Sequence, residues 1–505
     1  MRSVPARTDA MKRLILAHDL GTTGNKAVLV DENGELVDTA FASYRTAHPA
    51  PLAAEQNPAD WWRAVVRCTR ILLQREENRR SRLVAVGFSG HMNGVVLVDD
   101  EGVPLRPALI HADIRAQQQC EHLRLSMGEE RYYTITGNRI APFYSLPRLM
   151  MLGEREPEVV QRARWMLQCK DYCVGRLTGR WGITDPSDAS LTGIYDVNRL
   201  RWSEEVIEAS GILARLLPEV VPSTEVAGGV SREAARMTGL PEGLPVVLGA
   251  GDGACATVGA GVVETGESYT YIGGTAWTSC LRERFIPDPY MRLTTLMAAQ
   301  PHRRVQFGTV QSAGSAWDWF VRLFGRGMGT ARLQEEASGV PPGSGGLIFL
   351  PYLSGERAPI WNPRAKGAFF GVQAHHTRAY LARAVLEGVA YALESILQLM
   401  REHGAVAGNV RVVGGGTRSD LWMRILADVY GCPVEIPQHA ESSTALGAAV
   451  IAGVGVGLFE NFAVAKRIAV VERRIVPEES ARALYMRLKV HYRELYEAVK
   501  TLFTY

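Results

Sequence analysis

The feature that most constrains this chain is a recurring one: a short apolar run, strand-like in composition, that ends in a turn built from glycine, threonine and aspartate. Residues 13–18 run into Asp19-Leu-Gly-Thr-Thr-Gly24, and residues 244–249 into Ala250-Gly-Asp-Gly-Ala254. Residues 268–272 lead into Gly273-Gly-Thr-Ala276, and 409–413 into Gly414-Gly-Gly-Thr417. A strand that ends in such a turn presents backbone N–H groups and hydroxyls together, a surface suited to phosphate oxygens. One such turn is an ordinary structural feature; several in one chain, two of them with an aspartate, point to nucleotide binding.

Around these turns the order of elements reads as α/β. After residues 13–18, a strand over 26–30, a hairpin turn over 31–34 and a strand over 35–42 are expected. Asn57-Pro58 opens a helix, with asparagine as cap and proline at its first position. Residues 83–88 read as another strand. The second half repeats the plan and closes with a helix over 422–429. This layout predicts an N-terminal extension over 1–12, a first domain over 13–248 and a second over 249–505, with a shared cleft between the two domains.

Composition narrows the function classes. A formal charge of +3 over 505 residues offers no footprint for nucleic acid or an anionic membrane. Seven cysteines without a CxxC pair argue for reduced thiols, and so for a cytoplasmic protein without a disulfide framework or zinc site. The most apolar stretch, residues 445–459, is too short to span a bilayer and reads as a packed helix. No GxxxxGK[ST] run is present, the Rossmann glycine spacing is incomplete, and protein-kinase signatures are absent. A two-lobed ATP-binding fold of the actin and hexokinase (ribonuclease H-like) type remains.

The same segments carry a specific resemblance. Asp19-Leu-Gly-Thr-Thr-Gly24 resembles the first phosphate loop of the FGGY carbohydrate kinases, the run 249–261 their catalytic loop, and Gly273-Gly-Thr275 their second phosphate loop. Gly414-Gly-Gly-Thr-Arg-Ser-Asp-Leu-Trp422 resembles their adenosine segment. Further matches lie at His91-Met-Asn-Gly94, Lys170-Asp-Tyr172 and residues 367–387. Leu350-Pro-Tyr-Leu-Ser-Gly-Glu-Arg-Ala-Pro359 is similar to the xylulokinase branch.

The resemblance implies ATP-dependent phosphorylation of a small sugar such as D-xylulose, with Asp252 as general base and Asp19 on Mg²⁺. It assigns Gly21, Thr22, Thr23 and Gly24, with Gly274 and Thr275, to the phosphates. Gly415, Gly416 and Thr417 fall to the adenosine, and Met92, Asn93, Asp113, Asp252 and Gly253 to the sugar. His91 is expected to be structural, Trp277 and Trp317 to flank the cleft or fill core, and the assembly to be a homodimer.

The departures from the family pattern cluster on the sugar side. Xylulokinases carry His where Asn93 stands, Asn where Gly253 stands, and Trp-Asn-Asp where His111-Ala112-Asp113 stands. Lys and Trp are expected near Arg148 and Met151, and a polar residue at Tyr380. Loss of the amide at Gly253 should open space beside the base. Asp252-Gly253 also resembles the gluconate kinases of the same family, for which Arg115 or Arg139 would supply a cation. Gluconate or polyol kinase, and a nucleotide-gated binding protein or sugar sensor on the same scaffold, stay open as alternatives.

Overall fold

The computed structural model describes residues 12–405 and 408–503. Apart from Lys12, the expected N-terminal extension lies outside the described residues. The chain starts with an antiparallel meander, β1 (Leu14–Leu20), β2 (Gly24–Asp31) and β3 (Leu36–Ser43). The expected hairpin turn follows β2: the Asp31 carboxylate accepts from the N–H groups of Asn33 and Glu35, both at 2.9 Å. Gly34 takes the left-handed conformation, φ 89°, that closes the turn. Helix α1 (Pro58–Gln74) begins as the sequence indicates, with the Asn57 side chain accepting from the Ala59 N–H.

β4 (Leu83–Gly90) then lies parallel to β1. Three helices, α2 (Ser145–Arg155), α3 (Cys169–Thr178) and α4 (Pro186–Leu191), lead to β5 (Val226–Gly229), β6 (Pro245–Val247) and β7 (Ala250–Gly251). Helix α5 (Asp252–Gly259) follows without a gap. In the second half come β8 (Ser268–Ile272), β9 (Ala276–Arg282), β10 (Thr294–Met297) and β11 (Arg304–Val310). After these are the long helix α6 (Arg378–Glu402), β12 (Val410–Val413), α7 (Asp420–Tyr430), β13 (Val434–Pro437), α8 (Ser443–Gly455) and β14 (Val471–Ile475).

The first sheet has the order β5-β6-β4-β1-β2-β3, with β7 also on β4; the second runs β10-β11-β9-β8-β12-β13-β14. In each, an antiparallel meander of three strands (β1 to β3; β8, β9, β11) is extended from its first strand by two parallel ones (β4 and β6; β12 and β13). The two halves thus share one plan, the actin and hexokinase-like arrangement expected from the sequence.

The halves are joined by helix packing. α8 belongs to the second half in sequence, yet packs on α5 and on β1 and β4 of the first sheet. It is buried on every side from Ser443 to Gly453, which explains the apolar stretch at 445–459. Among the described residues no helix is long and apolar enough to cross a membrane. Two glycines set the closeness of α5 and α8. A Cβ on Gly447 would fall 1.9 Å from the Cys255 carbonyl oxygen, and one on Gly259 would fall 1.7 Å from that of Ser443. Because these neighbours are helix backbone rather than movable side chains, a methyl group there must push the helices apart. Gly447→Ala should therefore lower the midpoint of thermal unfolding by about 5 °C or more, read by scanning calorimetry; a midpoint within 1 °C of the parent (roughly the ordinary surface effect) would contradict this account of the joint.

Candidate active site

The pairing of β1, β4 and β7 fixes the chemistry of one sheet edge. Leu20 lies opposite Gly90, and Gly251 opposite the same Gly90, in parallel register. The carboxyl ends of three strands therefore deliver Asp19, the turn His91-Met92-Asn93 and Asp252 side by side, as expected where parallel strands end. Gly251 must lack a side chain here, because a Cβ would lie 2.5 Å from the Met92 side chain. Asp252 is the first residue of α5. Both carboxylates are half-buried. Burial raises the Asp252 carboxyl to about 7, the charge of Asp19 adds to this, and the Gly253 N–H opposes it. Burial likewise lifts Asp19 to about 6, against the Ser89 hydroxyl (3.0 Å) and the charge of Lys26.

Behind this edge lies a buried polar support. The Gly251 N–H donates to Ser187 Oγ at 2.9 Å, and Ser187 Oγ donates to Asp185 Oδ2 at 2.6 Å. Asp185, Asp171 and Asp188 surround Lys170 Nζ at 3.0, 2.6 and 3.1 Å. Burial alone would lower the lysine pKa; the three carboxylates reverse that and hold the ammonium charged. The Gly253 carbonyl accepts from Tyr269 Oη (3.1 Å) and Thr257 Oγ1 (2.8 Å). The start of α5 is thus pinned on both sides of the aspartate.

Asp252 opens into a cavity of about 150 Å³ between the two halves. On the scale of one water per 10–15 Å³ of such space, that is on the order of ten waters, room for a monosaccharide. Met92, Asn93, Asp252, Gly253, Thr275 and Trp277 all reach it. Asn93 sits at φ 63°, and its backbone oxygen is held by the Arg148 guanidinium. Its buried side-chain oxygen has no hydrogen-bond partner among the described residues. The space expected beside Gly253 is narrow, because a Cβ there would stand 3.3 Å from Leu296 Cδ2. Where an amide is missing, the wall is apolar.

Asp113 is a correction. Its carboxylate is fully buried away from the cavity, accepting from the Ala54 N–H (3.0 Å) and from Arg115 at 2.6 and 2.9 Å. It braces the wall and offers a sugar nothing. Arg115 is taken by the same pair and by Glu55 at 2.7 Å. Arg139 pairs with Glu129 and stacks over Trp361. Neither arginine proposed from sequence is a free cation in the cavity. Trp317 is core, while Trp277 stacks on Tyr271 at 4.1 Å and lines the site. His91 is buried edge-on to Trp61, and burial lowers its ring to about 3, so it is neutral and structural.

Sequence reasoning missed the rest of the wall. Phe143, Tyr144, Thr294, Arg357 and Trp361 line it; Arg357 lies in the family-like stretch from Leu350 to Pro359, and no local pattern marks the others. Arg148, noted only as a departure, is buried and donates to the carbonyls of Asn93, Ile110, Phe143 and Tyr144. One guanidinium therefore ties together segments that wall the cavity.

The glycine loops stand at strand ends of both sheets, and Thr275 of one of them lines the cavity. Loop 19–24 is fixed by Tyr44 Oη on the Gly21 oxygen and Gln56 Nε2 on the Thr22 oxygen. Loops 273–275 and 414–417 follow the adjacent parallel strands β8 and β12. Gly274 and Gly415 are exposed, with open space where a Cβ would be, so their backbones can be approached closely. Gly24 is buried against Phe41 and serves the strand. Thr417 is buried with its hydroxyl on the Gly414 oxygen (2.8 Å), leaving only its backbone to border a ligand.

Among the described residues there is no cluster of three or more His, Cys, Asp or Glu side chains that could hold a metal. The Asp19 carboxylate, beside that of Asp252, is a hard oxygen donor suited to Mg²⁺ that keeps water and phosphate oxygens in its shell.

Comparison with known proteins places the chain. Residues 14–259 match the N-terminal domain model of the FGGY family of carbohydrate kinases, and 271–456 match the C-terminal one. A xylulose kinase of Escherichia coli is 32% identical over 488 residues, covering 96% of this chain and 99% of the relative. A gluconokinase of Bacillus licheniformis is 29% identical, covering 98% of each. The crystal structure of a ligand-bound xylulose kinase from Lactobacillus acidophilus superposes with a TM-score of 0.91 at 25% identity, covering 97% of this chain and 98% of that one.

The raised carboxyl at position 252 has a cost to stability. Its folded pKa, about 7, exceeds the unfolded value of about 3.9. Its contribution to stability is present below pH 4 and is lost as pH rises through 7. Without divalent cation, Asp252→Asn should therefore be more stable than the parent at pH 8, by about 1–2 kcal/mol after discounting for solvent in the cleft, and nearly equal to it at pH 4–5. Thermal midpoints at the two pH values decide this; an advantage independent of pH would contradict the assignment.

Proposed function

We propose, for a chain that belongs to the FGGY family of carbohydrate kinases, that it transfers the γ-phosphoryl group of ATP to a hydroxyl of a small open-chain sugar, with Asp252 as general base. The observation that carries this reading is the carboxyl of Asp252, raised to about 7 and opening into a monosaccharide-sized cavity. At that pKa the group is substantially ionised at neutral pH and still basic enough to take a proton.

In the reaction the substrate hydroxyl gives its proton to Asp252 as its oxygen bonds the γ-phosphorus, and the bridging oxygen leaves in line with ADP. Phosphoryl transfer asks mainly for positioning and charge stabilisation. Asn93 and the pinned start of α5 orient the acceptor. Gly21, Thr22 and Thr23 from one half and Gly274 and Thr275 from the other cradle the phosphates, and Gly415, Gly416 and the Thr417 backbone border the adenosine. Asp19 would hold Mg²⁺, which supplies charge neutralisation at the phosphates when bound.

D-xylulose is the leading acceptor, because xylulose kinases stand prominently among the relatives. Gluconate is a second reading, supported by a cation in the cavity, Arg357, whose side chain has no hydrogen-bond or ion-pair partner among the described residues. Coupled ADP release with Mg-ATP should show turnover on one of these sugars. Asp252→Asn should lower kcat/KM by at least about 100-fold. For the parent, log kcat/KM should rise with pH to a plateau through an inflection near 7. ADP release that needs no sugar, or that survives the substitution, would sink the proposal.

A further inference from the structure

We propose that Arg357 sets the specificity of the sugar cavity, selecting acceptors that carry a planar oxygen group, ketone or carboxylate. This rests on the kinase reading above and names its acceptor class. The Arg357 side chain lines the cavity half-buried, its guanidinium 4.2 Å from the centre of the Phe143 ring. Among the described residues it has no hydrogen-bond or ion-pair partner. Every other arginine proposed for this role is occupied: Arg115 by Asp113 and Glu55, Arg139 by Glu129. The neighbouring Glu356 carboxylate faces elsewhere, accepting from the N–H groups of Gln311 and Arg357 at 2.7 and 2.8 Å.

The guanidinium and the Asp252 carboxyl share one cavity lining. The charge of Arg357 is felt by His111, Tyr144 and Glu356, whereas the charge that reaches Asp252 is that of Asp19. Among the described residues, Asp252 is the one carboxylate in the lining. A half-buried cation whose guanidinium has no hydrogen-bond or ion-pair partner among the described residues is costly, and a ligand oxygen in front of it relieves that cost. A carboxylate accepts two parallel, charge-assisted bonds, and a ketone oxygen is a pure acceptor. A polyol offers only hydroxyls, which the hydroxyls of Ser279, Thr294 and Thr309 already suit.

The test uses matched pairs, D-xylulose with xylitol and D-gluconate with D-glucitol, on the parent, Arg357→Met and Arg357→Lys. Both kcat/KM and, without ATP, the Kd of each acceptor by calorimetry are measured. The parent should favour the oxo-bearing member of at least one pair by about 30- to 100-fold. Arg357→Met should reduce that ratio to a few-fold, through KM and Kd rather than kcat, and Arg357→Lys should restore part of it. The pair with the larger ratio tells ketose from aldonate. Equal use of polyol and oxo-sugar by the parent, or a ratio that survives Arg357→Met, would overturn the proposal. If the parent phosphorylates nothing, the kinase reading fails while the Kd ratios still decide the role of Arg357. If Arg357→Met does not fold, the parent ratios and Arg357→Lys decide it.

Discussion

The structure depends on one register. Because β4 runs parallel to β1 on one side and to β7 on the other, with Leu20 and Gly251 both opposite Gly90, two carboxylates end at the same half-buried edge. Neither Asp19 nor Asp252 would be unusual alone. Together, in a place that solvates them poorly, burial raises the proton affinity of both, and the charge of Asp19 raises that of Asp252 further. The remainder of the site supports this pairing. Ser187 and Tyr269 fix the backbone around Asp252, and Arg148 fixes the wall it faces. Stability is given up at this edge and recovered in the apolar joint where α8 crosses α5.

Much of this was legible in the sequence because the phosphate-side elements are local. Asp19 to Gly24 is a strand end and its turn, and Asn57-Pro58 and Asp31 to Gly34 announce their own caps and hairpins. Such features are set by neighbours in the chain, and the strand ends found in the structure lie within about two residues of those expected. The resemblance to the FGGY carbohydrate kinases supplied roles for the same segments.

The sugar side was less legible, because it is assembled from distant residues. The family resemblance gave Asp113 to the sugar, but its fate was decided by Arg115 and Glu55, which the resemblance did not link to it. Arg148 seemed a lapse from a family pattern, and it proves to hold four carbonyls. Arg357 lies in a stretch that had been noted only for its likeness to one branch of the family. Gly253 was read as open space, whereas Leu296, more than forty positions along the chain, fills it.

The central claim is that proximity and burial make Asp252 a base tuned to neutral pH. The most direct test is a carbon-13 NMR titration of the aspartate carboxyls in metal-free protein, with Asp252 assigned by comparison with Asp252→Asn. The account predicts a resonance titrating near 7 that moves to lower pH when Asp19 is replaced by Asn. A titration in the ordinary aspartate range, near 4, or one indifferent to Asp19, would contradict it.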